Sequence, residues 1–181
     1  MKIQLPEGLL STARYVASPH QDARPENTTI DMIVVHGISL PPAQFGNDFI
    51  EQFFCGQLDY SAHPYFQTIR SLRVSSHLLV KRTGEIIQFV PFAERAWHAG
   101  QSSFQGRERC NDFSIGIELE GTDTLPYENI QYEKLAEIIN TLQKTYPAIT
   151  RDRIVGHSDI APGRKTDPGL SFDWRRLDSL L

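Results

Sequence analysis

The chain has 181 residues, of which 40% are hydrophobic and 22% charged, and a formal net charge of −4. Those values suit one globular domain and exclude disorder, collagen-like structure and a disulfide-dense scaffold. The acidic balance lacks the basic surplus of general nucleic-acid or anionic-membrane binders, so neither partner is expected.

Residues 1–30, punctuated by Pro6, Pro19 and Pro25, read as an irregular arm packed on the core of a domain spanning 31–181. Ile30 to Val35 is β-branched and apolar, which predicts a buried strand ending at His36-Gly37. Pro41-Pro42 forces a loop, and a short helix follows over Asp48 to Cys55. Ser76 to Arg82 and Glu85 to Val90 read as a hairpin turning through the two residues Thr83-Gly84. Ser114 to Glu120 alternates, so Gly116, Glu118 and Glu120 share one strand face and Ile115, Ile117 and Leu119 the other. Gln131 to Tyr146 carries an apolar stripe at helical spacing and stops at Pro147. A short strand from Arg153 to Gly156 leads to His157, and a helix over Phe172 to Leu181 ends the chain. The fold expected is a single α/β domain, a central mixed sheet flanked by helices.

Cys55 and Cys110 are far apart and are expected to be free thiols of a reducing compartment. The N-terminus lacks an apolar signal segment, and no run approaches the roughly 20 apolar residues of a membrane span. A cytoplasmic location is therefore expected.

Six histidines are present. His36 and His157 both stand where a predicted strand runs out, a common position for functional side chains in α/β sheets. With Asp167 they make a donor set suited to Zn²⁺, leaving a fourth position for water. Such an ion acidifies water and polarises a carbonyl. Spacing alone leaves each of these residues open to a packing or turn role, because no compact ligand motif is present. Glu118 is either a proton acceptor beside such a site or part of a solvated strand face. Lys165, two residues before Asp167, is either an oxyanion stabiliser or a loop lysine.

Taken together, Val34-Val35-His36-Gly37, Arg95 to Gly100 (RAWHAG), Asn111 to Gly121 (NDFSIGIELEG) and Gly156 to Gly169 (GHSDIAPGRKTDPG) resemble the type 2 family of zinc-dependent N-acetylmuramoyl-L-alanine amidases. Phage T7-type lysozyme amidases and peptidoglycan recognition proteins are its wider relatives. The likeness is closest to the AmpD-type anhydromuramyl-peptide amidases of cell-wall recycling, and it covers about Ser18 to Trp174.

The resemblance implies an amide hydrolase acting on anhydro-muropeptides. It implies zinc ligands His36, His157 and Asp167, transition-state stabilisation by Lys165 and proton transfer by Glu118. Many relatives have an active-site tyrosine where this chain has Ser76-His77, a departure that fits the AmpD branch. Trp97 and His98 stand in the segment that lines the family's substrate groove, where Trp97 offers a surface for a sugar ring. Arg73 and Arg109 are candidates to pair with stem-peptide carboxylates. His20, His63 and His77 are expected to be structural. Residues 37–70 have the loop-rich character of a gate. A monomer taking a small muropeptide is expected. The rival readings are a catalytically silent muropeptide receptor, a periplasmic amidase of intact peptidoglycan, and a zinc-free domain with packing histidines.

Overall fold

The computed structural model describes all 181 residues. In chain order, the first segment holds β1 (Ile3–Gln4), β2 (Leu9–Leu10), β3 (Arg14–Tyr15) and β4 (Gln21–Ala23). Then come β5 (Met32–Ile38), α1 (Phe49–Phe54), α2 (Pro64–Thr68), β6 (Leu78–Val80), β7 (Ile86–Gln88) and β8 (Glu94–Ala96). The second half holds β9 (Ser103–Phe104), β10 (Arg107–Glu108), β11 (Ser114–Glu120), α3 (Asn129–Thr145), β12 (Ile154–Gly156), α4 (His157–Ile160) and α5 (Trp174–Leu180).

Six strands form the central sheet, in the order β12-β5-β11-β6-β7-β3. The four from β12 to β6 are mutually parallel, β7 is antiparallel to β6, and β3 is parallel to β7. The sheet is mixed, as expected. Both faces are covered, which is why β5 reads as an unbroken apolar run rather than an alternating one. On one face Ile33, Val35, Ile117 and Leu119 pack with Leu135, Ile139 and Leu142 of α3. On the other, Leu79 and Ile87 pack against Phe53, Phe54 and Phe66 of α1 and α2, while Met32 and Val34 meet Phe113 and Ile160. Each fully buried Leu or Ile of the α3 stripe contributes about 1.5–3 kcal/mol.

Three local expectations are corrected. The first 30 residues are not irregular: β1 pairs β2, β3 is an edge strand of the central sheet, and β4 pairs β8. Strands of two or three residues are too short to show alternation. Side chains help to hold this segment instead. The buried Gln88 side chain accepts from the Leu10 amide at 2.7 Å and donates to the Gly8 carbonyl at 2.9 Å. Arg24 donates to the carbonyls of Phe92, Asn111, Asp112 and Ser114.

The hairpin loop is also one residue longer than expected. Lys81 N–H donates to the Glu85 carbonyl and Gly84 N–H to the Lys81 carbonyl, with Gly84 at φ +84°. Glycine supplies the left-handed residue that a three-residue hairpin loop requires. Finally, β5 continues through His36 to Ile38, so His36 lies within the strand and not beyond it.

Candidate metal centre and active site

Parallel pairing decides which side chains meet. Glu118 on β11 is the register partner of His36 on β5. Gly156 on β12 pairs with Val35, so the next residue, His157, stands level with His36 as the first residue of α4. Three parallel strands thus deliver His36, Glu118 and His157 to one edge of the sheet, where α/β folds open their binding crevices.

Asp167 arrives from the loop after α4. The Asp167 carbonyl accepts from the Ser158 amide at 3.0 Å, and the buried Tyr127 hydroxyl donates to the Pro168 carbonyl at 2.9 Å. Two glycines make this approach possible. A Cβ at Gly37 would lie 2.2 Å from the Tyr127 hydroxyl oxygen, and one at Gly156 would lie 2.9 Å from Pro168 Cδ. Sequence reading passed over Tyr127, although the glycine after His36 is a trace of it.

His36 Nδ1 and His157 Nδ1 are 3.0 Å apart, and Asp167 Oδ2 lies 3.1 Å from the first and 3.0 Å from the second. Ligand atoms about 2.0–2.1 Å from one tetrahedral ion are separated by about 3.3–3.4 Å, so the triangle has nearly the size of one face of such a site. Its chemistry suits a cation as well. His157 Nε2 faces the Ala99 carbonyl at 3.2 Å, a partner that can only accept, so the ring proton sits there and the Nδ1 lone pair is free. Burial pulls the His36 pKa down to about 4 against the hydrogen bond with Asp167, so the imidazole is neutral at neutral pH. Burial acts to raise the Asp167 pKa, but its contacts with His157 and His36 outweigh this and hold it well below the usual carboxylate range. Two imidazoles and a carboxylate are a donor set that can hold a divalent metal ion.

The triangle opens on a cavity of about 270 Å³ that is also lined by Glu118, Lys165, Leu40, Phe53, Phe54 and Tyr65. Glu118 is 8% exposed, and its Oε2 is buried without a hydrogen-bond partner. Burial first, then the charge of Asp167, pushes its pKa well above the usual carboxylate value, with Lys165 opposing. A raised, unpartnered carboxyl at a cavity wall suits proton transfer rather than structure. The solvated-face alternative fails, since all seven residues of β11 are buried. Glu120 shares the face of Glu118 but has a structural task, accepting from the amides of Gly46 and Arg82. Lys165 is exposed and reaches the cavity rim.

The four proposed substrate contacts are not gathered together. Only His98 lines the cavity, and its Nδ1 lies 2.9 Å from His36 Nε2. Trp97 donates from Nε1 to Asp22 at 3.0 Å and stacks on His20. The Arg73 guanidinium is exposed and donates to the carbonyls of Arg70 and Leu72, while neighbouring Leu72 and Val74 line the cavity. Arg109 lines a separate cavity of about 400 Å³ with Gln101, Glu108 and Arg164. Among the histidines expected to be structural, His63 caps α2 by accepting from the Tyr65 amide, and His77 Nδ1 accepts from the Gly116 amide. His20 hydrogen-bonds the Val74 carbonyl through Nδ1. Both cysteines are free and buried.

Known proteins share this architecture. The family model described as N-acetylmuramoyl-L-alanine amidase matches residues 26–170. The 1,6-anhydro-N-acetylmuramyl-L-alanine amidase AmpD of Citrobacter freundii is 59% identical over 177 residues, covering 98% of this chain and 94% of that protein. The crystal structure of a selenomethionine AmpD derivative superposes with a TM-score of 0.95 at 58% identity, covering 99% of both chains. The Escherichia coli amidase AmiD, solved with anhydro-N-acetylmuramic acid-L-Ala-D-γ-Glu-L-Lys, superposes at 0.61 with 31% identity, covering 87% of this chain and 60% of that one. A family match across most of the chain, joined to the same fold at high identity, identifies this protein as a member of the N-acetylmuramoyl-L-alanine amidase family.

Proposed function

We propose that the protein hydrolyses the amide bond between the muramyl lactyl group and L-alanine in soluble 1,6-anhydro-muropeptides, using Zn²⁺ held by His36, His157 and Asp167. One observation carries the reading: two imidazole nitrogens and a carboxylate oxygen converge within 3.1 Å of one another, beside the unpartnered buried carboxyl of Glu118. The names of relatives at 56–59% identity support the bond and the substrate class.

When bound, Zn²⁺ supplies a Lewis acid that polarises the lactyl carbonyl and makes water a better nucleophile at neutral pH. The chain does the rest. Glu118 accepts a proton from the attacking water and returns it to the departing L-alanine nitrogen, a transfer its raised pKa favours. The Lys165 ammonium stands at the rim, where it stabilises the carbonyl oxygen as negative charge develops there. Leu40, Phe53, Phe54 and Ile69 give the cavity apolar walls, which strengthen both interactions once substrate displaces water from it.

A soluble fragment fits the reading better than the polymer. An anhydro-muropeptide is named as substrate in the AmiD complex, and the AmpD relatives are named for a 1,6-anhydro-N-acetylmuramyl-L-alanine amide. We place the protein in the cytoplasm as a monomer, acting on fragments released from the wall. Mass spectrometry of an anhydro-muropeptide, before and after incubation and with or without a chelator, tests the reading. Free stem peptide and anhydro-sugar are expected only without chelator. An intact muropeptide would leave a binding protein, and faster turnover of insoluble sacculi would move the substrate to the polymer.

A further inference from the structure

His98 stands between His36 and Ser114, and both its ring nitrogens are engaged. His36 Nε2 lies 2.9 Å from His98 Nδ1, and His98 Nε2 lies 3.1 Å from Ser114 Oγ. Ser114 Oγ in turn lies 2.6 Å from the Cys110 carbonyl oxygen. Only the last of these atoms has a fixed polarity, since a carbonyl oxygen carries no proton. The Ser114 hydroxyl therefore donates to Cys110, which uses its one hydrogen. Its oxygen can then only accept, so His98 carries its proton on Nε2. The ring is buried and its two nitrogens meet only His36 and Ser114, with no carboxylate to hold a second proton, so it carries a single proton and Nδ1 is a bare acceptor. That acceptor takes the Nε2–H of His36. A neutral His36 protonated on Nε2 presents its lone pair on Nδ1, the atom facing His157 and Asp167.

We infer that His98 is a positioning residue for the metal centre, fixing the tautomer and ring orientation of His36 through a one-way hydrogen-bond chain anchored at the Cys110 carbonyl. The inference deepens the proposed zinc reading and rests on it. Metal-bound imidazoles generally donate their second N–H to a carboxylate, carbonyl or water. Here a second imidazole fills that place, and the direction is set two residues further out.

Two independent features hold His98 where this role needs it. A Cβ on Gly116, in the middle of β11, would lie 2.4 Å from His98 Cγ. Glycine weakens a strand interior and often marks a close approach, which here is this ring. The Asn111 side-chain oxygen accepts from the backbone amides of His98 and Ala99 at 3.1 and 2.7 Å, which holds the segment bearing the ring. Neither ring nitrogen is left for a substrate, although the ring borders the cavity.

The test is to measure zinc affinity by competition with a chromophoric chelator and imidazole tautomers by long-range ¹H–¹⁵N NMR of the zinc-loaded protein. The wild type is expected to show His98 protonated on Nε2. His98→Leu is expected to bind zinc about 10- to 100-fold more weakly. His98→Asn should recover much of that loss, because its Oδ1 can accept from His36 Nε2–H. Ser114→Ala should blur the tautomer of His98 with a smaller loss of affinity. A wild-type His98 protonated on Nδ1 overturns the inference even if the leucine variant fails to fold. So does a His98→Leu that binds zinc as tightly as wild type. Wild-type protein that binds no zinc overturns the metal reading itself, and this inference with it.

Discussion

Glu118 and His36 are register partners on adjacent parallel strands, and both side chains enter the same cavity, yet Glu118 Oε2 has no hydrogen-bond partner there. A strand pair places the proposed proton acceptor beside a candidate metal ligand and leaves its carboxyl uncompensated.

That arrangement predicts a trade of stability for activity. Glu118 has a folded-state pKa above its unfolded value, so its ionisation costs increasing stability as pH rises from about the ordinary carboxyl value. Glu118→Gln removes the charge and keeps the shape. In chelator-treated protein at neutral pH it is expected to be about 1–3 kcal/mol more stable than wild type, the usual cost of an uncompensated buried polar group. Its kcat should fall about 10²–10⁴-fold. Denaturant titration and turnover of one preparation check both halves. A variant as active as wild type would remove Glu118 from proton transfer.

Lys165→Ala should behave differently, because the ammonium acts mainly on charge that develops during reaction. We expect kcat to fall about 10²–10³-fold with a smaller change in KM. Steady-state kinetics on an anhydro-muropeptide separate the two parameters. Weaker binding with kcat unchanged would make Lys165 a substrate contact.

Metal removal should lower thermal stability along with activity. Zinc at about 100 times its Kd adds about 2.7 kcal/mol, which in a chain of this size is about 5–10 °C in Tm. Calorimetry before and after chelation, then with zinc restored, measures the shift. Activity that survives complete removal of metal would contradict the proposed chemistry.

The buried histidines predict acid sensitivity of the metal-free protein. Burial depresses the His36 pKa to about 4 from 6.5, and those of His77 and His98 also lie well below that value. The unfolded chain then takes up these protons first. The stability they contribute is complete above about pH 6.5 and is lost as pH falls toward 4. Melting temperatures across this interval should decline, and zinc should be released over the same range as protons compete for its ligands. A flat melting profile would show that the three rings are solvated.

Gly37→Ala tests how Asp167 is held. Its Cβ would meet the Tyr127 hydroxyl, which tethers Pro168 beside Asp167. Overpacking of this kind costs about 1–3 kcal/mol. Zinc affinity should fall as well, because the displaced tyrosine releases the loop that carries a ligand. Unchanged affinity in a destabilised variant would show that Asp167 finds its place without the tether.

The sequence by itself determined the parts that depend on local order. The apolar run before His36, the stripe of α3 and the alternation of β11 are backbone periodicities, readable wherever side chains repeat with the pitch of their element. The motifs carried the family resemblance and its candidate ligands in the same way. Two-residue strands in the first segment were too short to leave such a trace. Only the tertiary structure decided that His36, His157 and Asp167 meet, because that follows from strand order, parallel register and a loop tethered by Tyr127. It alone showed that the polar face of β11 is dry, which makes Glu118 a raised acid. It also showed that His98 Nδ1 lies 2.9 Å from His36 Nε2, since a hydrogen bond depends on distances in space that linear spacing does not encode.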